Sequence, residues 1–168
     1  HTPRNALGAE KTATAFLSGA LIDGWHAPAL DGSGSAPLRW SEADYYDYLR
    51  TGVSARHGAA AGPMAPVVEQ LADVADTDIR AMAVYLASLS AAAADAGSSE
   101  MLQATAEAAL ASGTSPSARL FDTACASCHV SGPVALASGA QVPLAFASSI
   151  HADQPDTFLR VVLDGLKA

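Results

Sequence analysis

The chain has 168 residues, half of them hydrophobic and 6% aromatic, and a net charge of −8 at neutral pH. One domain or two small ones fit this length, and because much of the apolar content is small, their cores would profit from a large buried apolar group. The nine basic residues are scattered, which argues against a nucleic-acid partner, and no run approaches the roughly 18 apolar residues of a membrane-spanning helix.

Helical patterns with start and stop signals dominate the first half. Ser41 and Asp44 form a capping arrangement ahead of a helix that Gly52 is expected to end. Thr77 is predicted to cap the next helix, whose apolar residues recur at helical spacing at Ile79, Met82, Ala83 and Leu86.

The second half continues in the same way. The small residues of 90–100 predict a linker, and residues 100–112 predict a helix. Ser115 begins a short helix that runs into the cysteines, and a last helix is expected to end at Gly165. Loops rich in Gly and Pro lie at 19–37, 58–66 and 131–143. No stretch has the sustained alternation of a strand, so the predicted fold class is all-α.

A weak internal repeat relates the two halves. A histidine, a proline and a helix-ending glycine follow one another at His1, Pro28 and Gly52, and again at His129, Pro143 and Gly165. Met64 lies twelve residues after Gly52, and the same interval after Gly165 falls beyond Ala168. We therefore expect both ends of the chain to fall inside repeats.

The motif Cys125-Ala-Ser-Cys128-His129 carries the most specific chemical signal. Two thiols one helical turn apart can each add to a vinyl group of a haem, and the adjacent histidine then becomes the proximal iron ligand. A zinc site would need further ligands, and a dithiol redox motif usually begins a helix after a strand. The motif predicts covalent haem c.

His1 stands at the head of the first repeat and is predicted to be the proximal ligand of another haem, whose cysteines lie before this chain. Met64 lies in a Gly-Pro-Met-Ala-Pro loop, where the prolines fix the backbone and present the thioether at one place. We predict that Met64 is the sixth ligand of that haem. The alternative for His1 is a tag remnant or disordered residue, and the alternative for Met64 is a flexible residue that fills the core. Met82 and Met101 lie in helical patterns and are expected in the core.

The remaining histidines, His26, His57 and His151, lie in loops rich in Ala, Gly or Asp and are expected to be exposed. His57 is the alternative to Met64 as sixth ligand, and His151 is the alternative for the second haem. Four further side chains are candidates to line a haem or bind its propionates, with ordinary packing as the alternative: Arg4, Trp25, Trp40 and Tyr48.

Nearly the whole chain resembles the triple-haem cytochrome c subunits of bacterial membrane-associated dehydrogenases. The second module of that family is similar to "HTPRNALGAEK", "GWHAPAL", "WSEADYYDYLRTG", "HGAAAGPMAPVVEQL" and "DTDIRAMAVYLASL", and the third to "ARLFDTACASCH" and "TFLRVVLDG". In the family each module carries Cys-x-x-Cys-His and a distal methionine in a Gly-x-Met loop. The Cys-x-x-Cys before His1 and the methionine after His129 are missing here, as is the family's first module.

The resemblance implies tandem class I-like cytochrome c modules, both truncated, at 1–90 and 113–168, with a linker and helix at 91–112. It implies haem c at Cys125 and Cys128, and a second haem at His1 and Met64. The chain would carry electrons without converting a substrate itself. Alternatives are a peroxidase-like or nitrite-reducing haem enzyme, or a non-haem redox or metal module built on the two cysteines.

Partners and location follow from the same resemblance. The electron donor would be a catalytic dehydrogenase subunit: a molybdenum hydroxylase, a quinoprotein or a flavoprotein. The acceptor would be ubiquinone or an oxidase. "HGAAAGPMAP" favours the molybdenum-hydroxylase branch, whose members act on nicotinate, isoquinoline or aldehydes. The expected location is the periplasm, with membrane association through the parent subunit.

Overall fold

The computed structural model describes residues 1–89, 99–129 and 144–166, and the described chain is mostly helical. Its helices are α1 (Thr12–Ala15), α2 (Glu42–Thr51), α3 (Ala65–Leu71), α4 (Asp76–Leu89), α5 (Ser99–Ser112), α6 (Pro116–Ala124), α7 (Ala126–His129) and α8 (Asp156–Asp164). Single 3-10 turns lie at Gly62–Met64 and Leu144–Phe146. The strands are β1 (Ala20–Ile22), β2 (Trp25–Ala27), β3 (Val53–Ser54) and β4 (Gly58–Ala59).

Two short antiparallel hairpins qualify the all-α prediction. β1 pairs with β2, with Ile22 opposite Trp25, and β3 pairs with β4, with Val53 opposite Ala59. Each strand has only two or three residues, which is too short for an alternating pattern to be recognised in the sequence. The prediction of a mainly helical chain is confirmed, and the absence of strands was wrong.

Local capping signals predicted several helix ends correctly. Ser41 and Asp44 form a reciprocal capping box at the start of α2, and Gly52 ends this helix with a φ of 79°. Ser115 caps α6 by accepting a hydrogen bond from the Ala118 N–H, and Gly165 follows the last residue of α8. These ends depend on neighbouring residues alone, which is why the sequence reveals them.

The predicted cap at Thr77 was wrong. α4 begins one residue earlier, and the Ala75 carbonyl already accepts hydrogen bonds from the N–H groups of Asp78 and Ile79. Asp76 also accepts a hydrogen bond of 2.6 Å from the Tyr46 hydroxyl of α2. This tertiary contact ties the start of α4 to α2, and no local signal in the sequence reports it.

The core of the first half lies between α2 and α4. Tyr45 and Leu49 of α2 are buried, and Ile79 and Ala83 of α4 are fully covered. Arg50 donates hydrogen bonds from α2 to carbonyl groups at and after the end of α3, at Leu71, Ala72 and Val74. A cation there is favourable because carbonyl groups at a helix end carry partial negative charge.

The second half supplies α5, α6 and α7, and its last segment returns to the first half. Phe146 and Ala147 are buried, and the Ser148 N–H donates to the His57 carbonyl at 3.1 Å. Met101 is 53% exposed on α5, so the prediction that it is a core residue was wrong. Most of the predicted linker at 90–100 and the whole predicted loop at 131–143 lie outside the described residues. Within the described ranges no helix is long and apolar enough to cross a bilayer.

A buried carboxylate connects α2 to the β3–β4 hairpin. Asp44 is 7% exposed and accepts hydrogen bonds from the Ser41 N–H at 2.9 Å, the Ser54 hydroxyl at 3.2 Å and the Arg56 guanidinium at 3.2 Å. Burial by itself raises the pKa of Asp44, but the His57 ring and the hydrogen bonds from Ser41 outweigh it and hold the pKa well below its usual range.

Asp44→Asn should therefore destabilise the fold at neutral pH, by about 1–3 kcal/mol, because the amide cannot accept all of these hydrogen bonds. A lowered pKa stabilises the folded state above the unfolded value of about 3.9, and this contribution is lost as the pH falls towards the folded value. The difference between wild type and variant should be largest near pH 7 and shrink below about pH 4. Urea unfolding across this pH range measures it.

Asp47→Asn on the exposed face of the same helix is the matched control and should leave stability nearly unchanged. Equal losses for the two variants, or a loss from Asp44→Asn that does not change with pH, would contradict the buried-carboxylate account.

Candidate haem sites

The His1 imidazole is anchored to the chain that follows β2. Its Nδ1 lies 2.7 Å from the Pro28 carbonyl oxygen. A carbonyl oxygen can only accept a hydrogen bond, so Nδ1 carries a proton, and in the neutral ring Nε2 keeps its lone pair. Histidines that bind metals are commonly held in this way, with the other ring nitrogen bonded to a carbonyl. The His1 ring is therefore prepared to act as a ligand through Nε2.

Met64 ends the 3-10 turn Gly62–Met64, directly before α3. Gly62 has a φ of 53°, and a Cβ at this position would overlap the Trp25 ring. Two features therefore require glycine at position 62: the left-handed backbone and the close approach of the Trp25 indole. The turn that carries Met64 rests on Trp25 of β2.

The anchors of His1 and Met64 thus meet at one short strand. Trp25 contacts the Met64 turn, and Pro28, which binds His1, follows three residues later. Three residues of extended chain span about 10 Å. The structure therefore brings the supports of the two predicted ligands together, although they lie far apart in the sequence.

A cavity of about 450 Å³ lies beside these anchors. Pro28, Ala29, Leu30 and Leu38 give it apolar walls, and Arg39 adds a cationic side chain. Its size falls in the range usual for sites of small organic ligands and cofactors. Neither His1 nor Met64 is among the described residues that line this cavity.

Trp40 lines the same cavity and is held by an aromatic cluster. Its ring stacks on His57, with centroids 4.0 Å apart and planes 13° apart, and on Tyr45 at 4.8 Å. Tyr48 meets Trp40 edge-on at 5.3 Å, and burial raises the pKa of Tyr48 to about 12. This cluster fixes the orientation of the indole at the cavity wall.

His57 is buried, which corrects the prediction that it is exposed. Its ring lies under Trp40, and its Nε2 is 3.6 Å from Asp44 Oδ2, at ion-pair rather than hydrogen-bond distance. Within the described ranges neither ring nitrogen has a hydrogen-bond partner. The aromatic stack and the Asp44 carboxylate, both distant in sequence, account for this burial, and they give His57 a structural position in the first half.

Of the other candidates, His26 also lines the first cavity. Arg4 is 67% exposed and contacts Glu10 at 3.5 Å, and it lines neither of the two cavities described here. His26 and His151 are half-buried, not exposed as predicted. His26 Nε2 lies 3.6 Å from Asp156 Oδ2, and His151 Nε2 lies 2.8 Å from the Ala145 carbonyl oxygen.

The Cys-x-x-Cys-His motif forms a helical turn at the end of α6. Cys125 ends α6, its N–H bonded to the Phe121 carbonyl, and its own carbonyl accepts the N–H of His129 at 3.1 Å. Residues four apart in such a turn project from the same side, so the half-buried Cys125 and His129 share a face. The side chain of Cys128 lies outside the described part of the structure.

His129 lines a second cavity, of about 330 Å³, between α5, α6 and the turn at Leu144–Phe146. Leu110, Phe121, Leu144 and Ala145 give it a largely apolar wall. The two cavities agree with the internal repeat, because each is lined by the two residues that follow the repeat's proline: Ala29 and Leu30 in the first, Leu144 and Ala145 in the second.

Two site features were missed in the sequence. Arg39 stands beside the predicted Trp40 and lines the first cavity, and its neighbour could have pointed to it. Arg160 of α8 lies with its guanidinium carbon 5.7 Å from the centre of the Trp25 ring. No local signal marks Arg160, because its partner is more than 130 positions away.

Comparison with known proteins shows that the chain is similar to subunits of several dehydrogenases. It is 42% identical over 166 residues to a nicotinate dehydrogenase subunit of Pseudomonas putida, a match that covers 99% of the chain and 14% of that protein. It is 36% identical over 147 residues to the fructose dehydrogenase cytochrome subunit of Gluconobacter japonicus, covering 78% of the chain and 30% of that cytochrome.

A third relative is the gluconate 2-dehydrogenase cytochrome c subunit of Pantoea cypripedii, 38% identical over 98% of the chain and 40% of that cytochrome. The chain thus spans less than half the length of each of these three relatives. No family model matches it.

The chain is similar to cytochrome subunits along nearly its whole length, and it combines a mainly helical fold with a helix that runs into Cys-x-x-Cys-His, the attachment signal of c-type haem. Its relatives are cytochrome subunits of dehydrogenases, and it is similar to part of each of them. The resemblance identified in the sequence is confirmed.

Gly62→Ala should destabilise the protein by about 2–4 kcal/mol, because the new methyl group adds overlap with Trp25 to the strain of a left-handed backbone. Gly8→Ala is the control: Gly8 has a φ of 79° but faces open space, so only the backbone strain of about 1–2 kcal/mol applies. Urea unfolding of the two variants measures the difference. Equal losses would mean that the indole does not bear on Gly62.

Proposed function

We propose that the chain carries haem c and transfers single electrons as part of the cytochrome subunit of a dehydrogenase. The observation that carries the proposal is the position of His129. The last residue of the haem-attachment motif lines a cavity with apolar walls, which is what a haem ligand requires of its surroundings. In this proposal the chain relays electrons and converts no substrate.

Cys125, Cys128 and His129 hold one haem, the cysteines by thioether bonds and the histidine as proximal ligand. Support comes from the helical turn that brings Cys125 and His129 to one face, and from Phe121, Leu110 and Leu144 in the cavity wall. These apolar side chains exclude water and lower the local dielectric, which favours electron transfer over reactions that need an open, solvated iron.

His1 and Met64 hold a second haem as its axial ligands. Support comes from the hydrogen bond of Nδ1 to Pro28, which leaves Nε2 available, and from the glycine turn that presents Met64 beside β2. Trp40 and Arg39 border the neighbouring cavity, where an indole N–H and a guanidinium suit the propionates of a haem. Each half of the chain then acts as one cytochrome module, at 1–90 and 113–168.

The bound haem supplies a one-electron couple between ferric and ferrous iron. The role of this chain would be to tune that couple: with His1 and Met64 as the residues that hold the iron, the thioether would favour the ferrous state and raise the potential. Aromatic packing around Trp40 keeps the first site rigid, and rigidity limits the reorganisation that accompanies each change of charge.

The electron donor is a catalytic dehydrogenase subunit, and the acceptor is ubiquinone or an oxidase. Among the relatives above, the nicotinate dehydrogenase protein of Pseudomonas putida combines the highest identity with nearly whole-chain coverage, which favours a donor of the molybdenum-hydroxylase class. Haem attachment through Cys-x-x-Cys-His takes place outside the bacterial cytoplasm, so the expected location is the periplasm, with membrane association through the parent subunit.

Replacing Cys125 and Cys128 together by serine should remove one covalent haem per polypeptide, because serine forms no thioether. The measurement is intact mass and pyridine haemochrome on the full natural polypeptide, matured in a host that attaches haem c. Ser127→Ala lies between the two cysteines and should keep every haem. An unchanged haem mass in the double variant, or protein that never binds haem, would overturn the proposal and favour a non-haem dithiol.

Met64→Ala should lower the reduction potential of one haem and abolish its iron–sulfur charge-transfer absorption, because a thioether ligand raises the potential. Met101→Ala, at an exposed position on α5, is the control and should change neither property. Spectroelectrochemistry on the full natural polypeptide resolves the individual haems. Identical potentials and spectra in the two variants would rule out Met64 as a ligand and favour an open iron position or a distal histidine, as in a haem enzyme.

A further inference from the structure

Helix α8 docks on the strand that supports the first haem site. The Thr157 hydroxyl accepts the His26 N–H at 3.0 Å, and Asp156 lies 3.6 Å from the His26 ring. Asp156, Thr157 and Arg160 are three and four positions apart, so they share one face of the helix. That face meets β2 at several points.

Arg160 contacts the Trp25 ring and the backbone before β2. Its guanidinium carbon lies 5.7 Å from the centroid of the Trp25 ring, within cation–π range. It also approaches the backbone at Gly24 so closely that a Cβ there would lie 3.2 Å from this carbon. Gly24 directly precedes the strand and has a φ of 78°, so the backbone of the turn favours glycine at this position.

Trp25 therefore links two parts of the chain that the sequence keeps apart. It contacts Arg160 of α8, and it contacts Gly62 of the turn that ends in Met64. A shift of the indole would free the Gly62–Met64 turn to move, because the turn has a left-handed glycine and rests on that ring.

We propose that Arg160 is a positioning residue for the first haem site: through its cation–π contact with Trp25, it holds the Gly62–Met64 turn in the conformation that presents Met64 as a ligand. The inference rests on the proposed function, in which Met64 binds iron. It goes beyond that function by making the ligation of one haem depend on a helix from the other half of the chain. Any change that moves α8 then alters the first haem.

The test is competition by added imidazole, which binds ferric haem only when the methionine has left. The apparent affinity for imidazole therefore reports the fraction of protein with the ligand turn open. The protein is the full natural polypeptide with its haems, and the variants are Arg160→Ala, Thr157→Val and Arg119→Ala. Arg119 is exposed on α6, so its replacement removes the same charge without touching Trp25.

Arg160→Ala should raise the apparent imidazole affinity of one haem about two- to fivefold, as expected for loss of a cation–π contact made by an exposed arginine. The potential of the same haem should fall, and the other haems should not change. Arg119→Ala should behave as wild type. Thr157→Val weakens the docking of α8 but keeps the arginine, so its effect should be distinctly smaller.

If Arg160→Ala does not accumulate, Arg160→Lys takes its place, because lysine keeps the charge but lacks the planar group that stacks on an indole. It should raise the imidazole affinity by a smaller factor. Wild-type affinity in whichever Arg160 variant accumulates would overturn the proposal, as would equal effects of Thr157→Val. Met64→Ala distinguishes failure of this inference from failure of the ligand assignment. If Met64→Ala changes the imidazole affinity and the Arg160 variants do not, only this inference is overturned. If Met64→Ala has no effect either, the ligand assignment and this inference are both overturned.

Discussion

The Asp44 carboxylate is almost completely removed from water, and the organisation of the first half depends on how its charge is compensated. A buried carboxylate is tolerable only with several donors around it. Here they come from the cap of α2, from β3 and from Arg56 in the hairpin loop, so satisfying one charge joins three segments of chain. The His57 ring completes the arrangement and carries Trp40 on its face, which is how a capping residue comes to influence the wall of a cavity.

β2 has a comparable role for the proposed ligands, although it has only three residues. A strand this short has little stability of its own. It is held by β1 along one edge, by the Gly62 turn against Trp25 and by α8 through Thr157 and Arg160. Because so many contacts converge on so few residues, the geometry of the first site depends on packing between the two halves of the chain.

The sequence predicted the local features well and the long-range ones poorly. Helix ends at Ser41, Gly52, Ser115 and Gly165 follow from side chains and backbone angles within one or two turns, and they were predicted correctly. The start of α4, by contrast, is tied to α2 through the Tyr46 hydroxyl. The predicted exposure of His57 was wrong for the same reason: its burial comes from tertiary contacts with Trp40 and Asp44.

The amino-acid sequence by itself determined the resemblance to cytochrome subunits of dehydrogenases and the proposal of haem c, because Cys-x-x-Cys-His and its surrounding motifs are contiguous. It also determined the helical character and the repeat, since both are patterns of spacing along one chain. Only the tertiary structure decided that the supports of His1 and Met64 meet at β2, and that α8 is packed against them. Contacts between residues a hundred positions apart depend on how the elements pack, and packing leaves no periodic signal in the sequence.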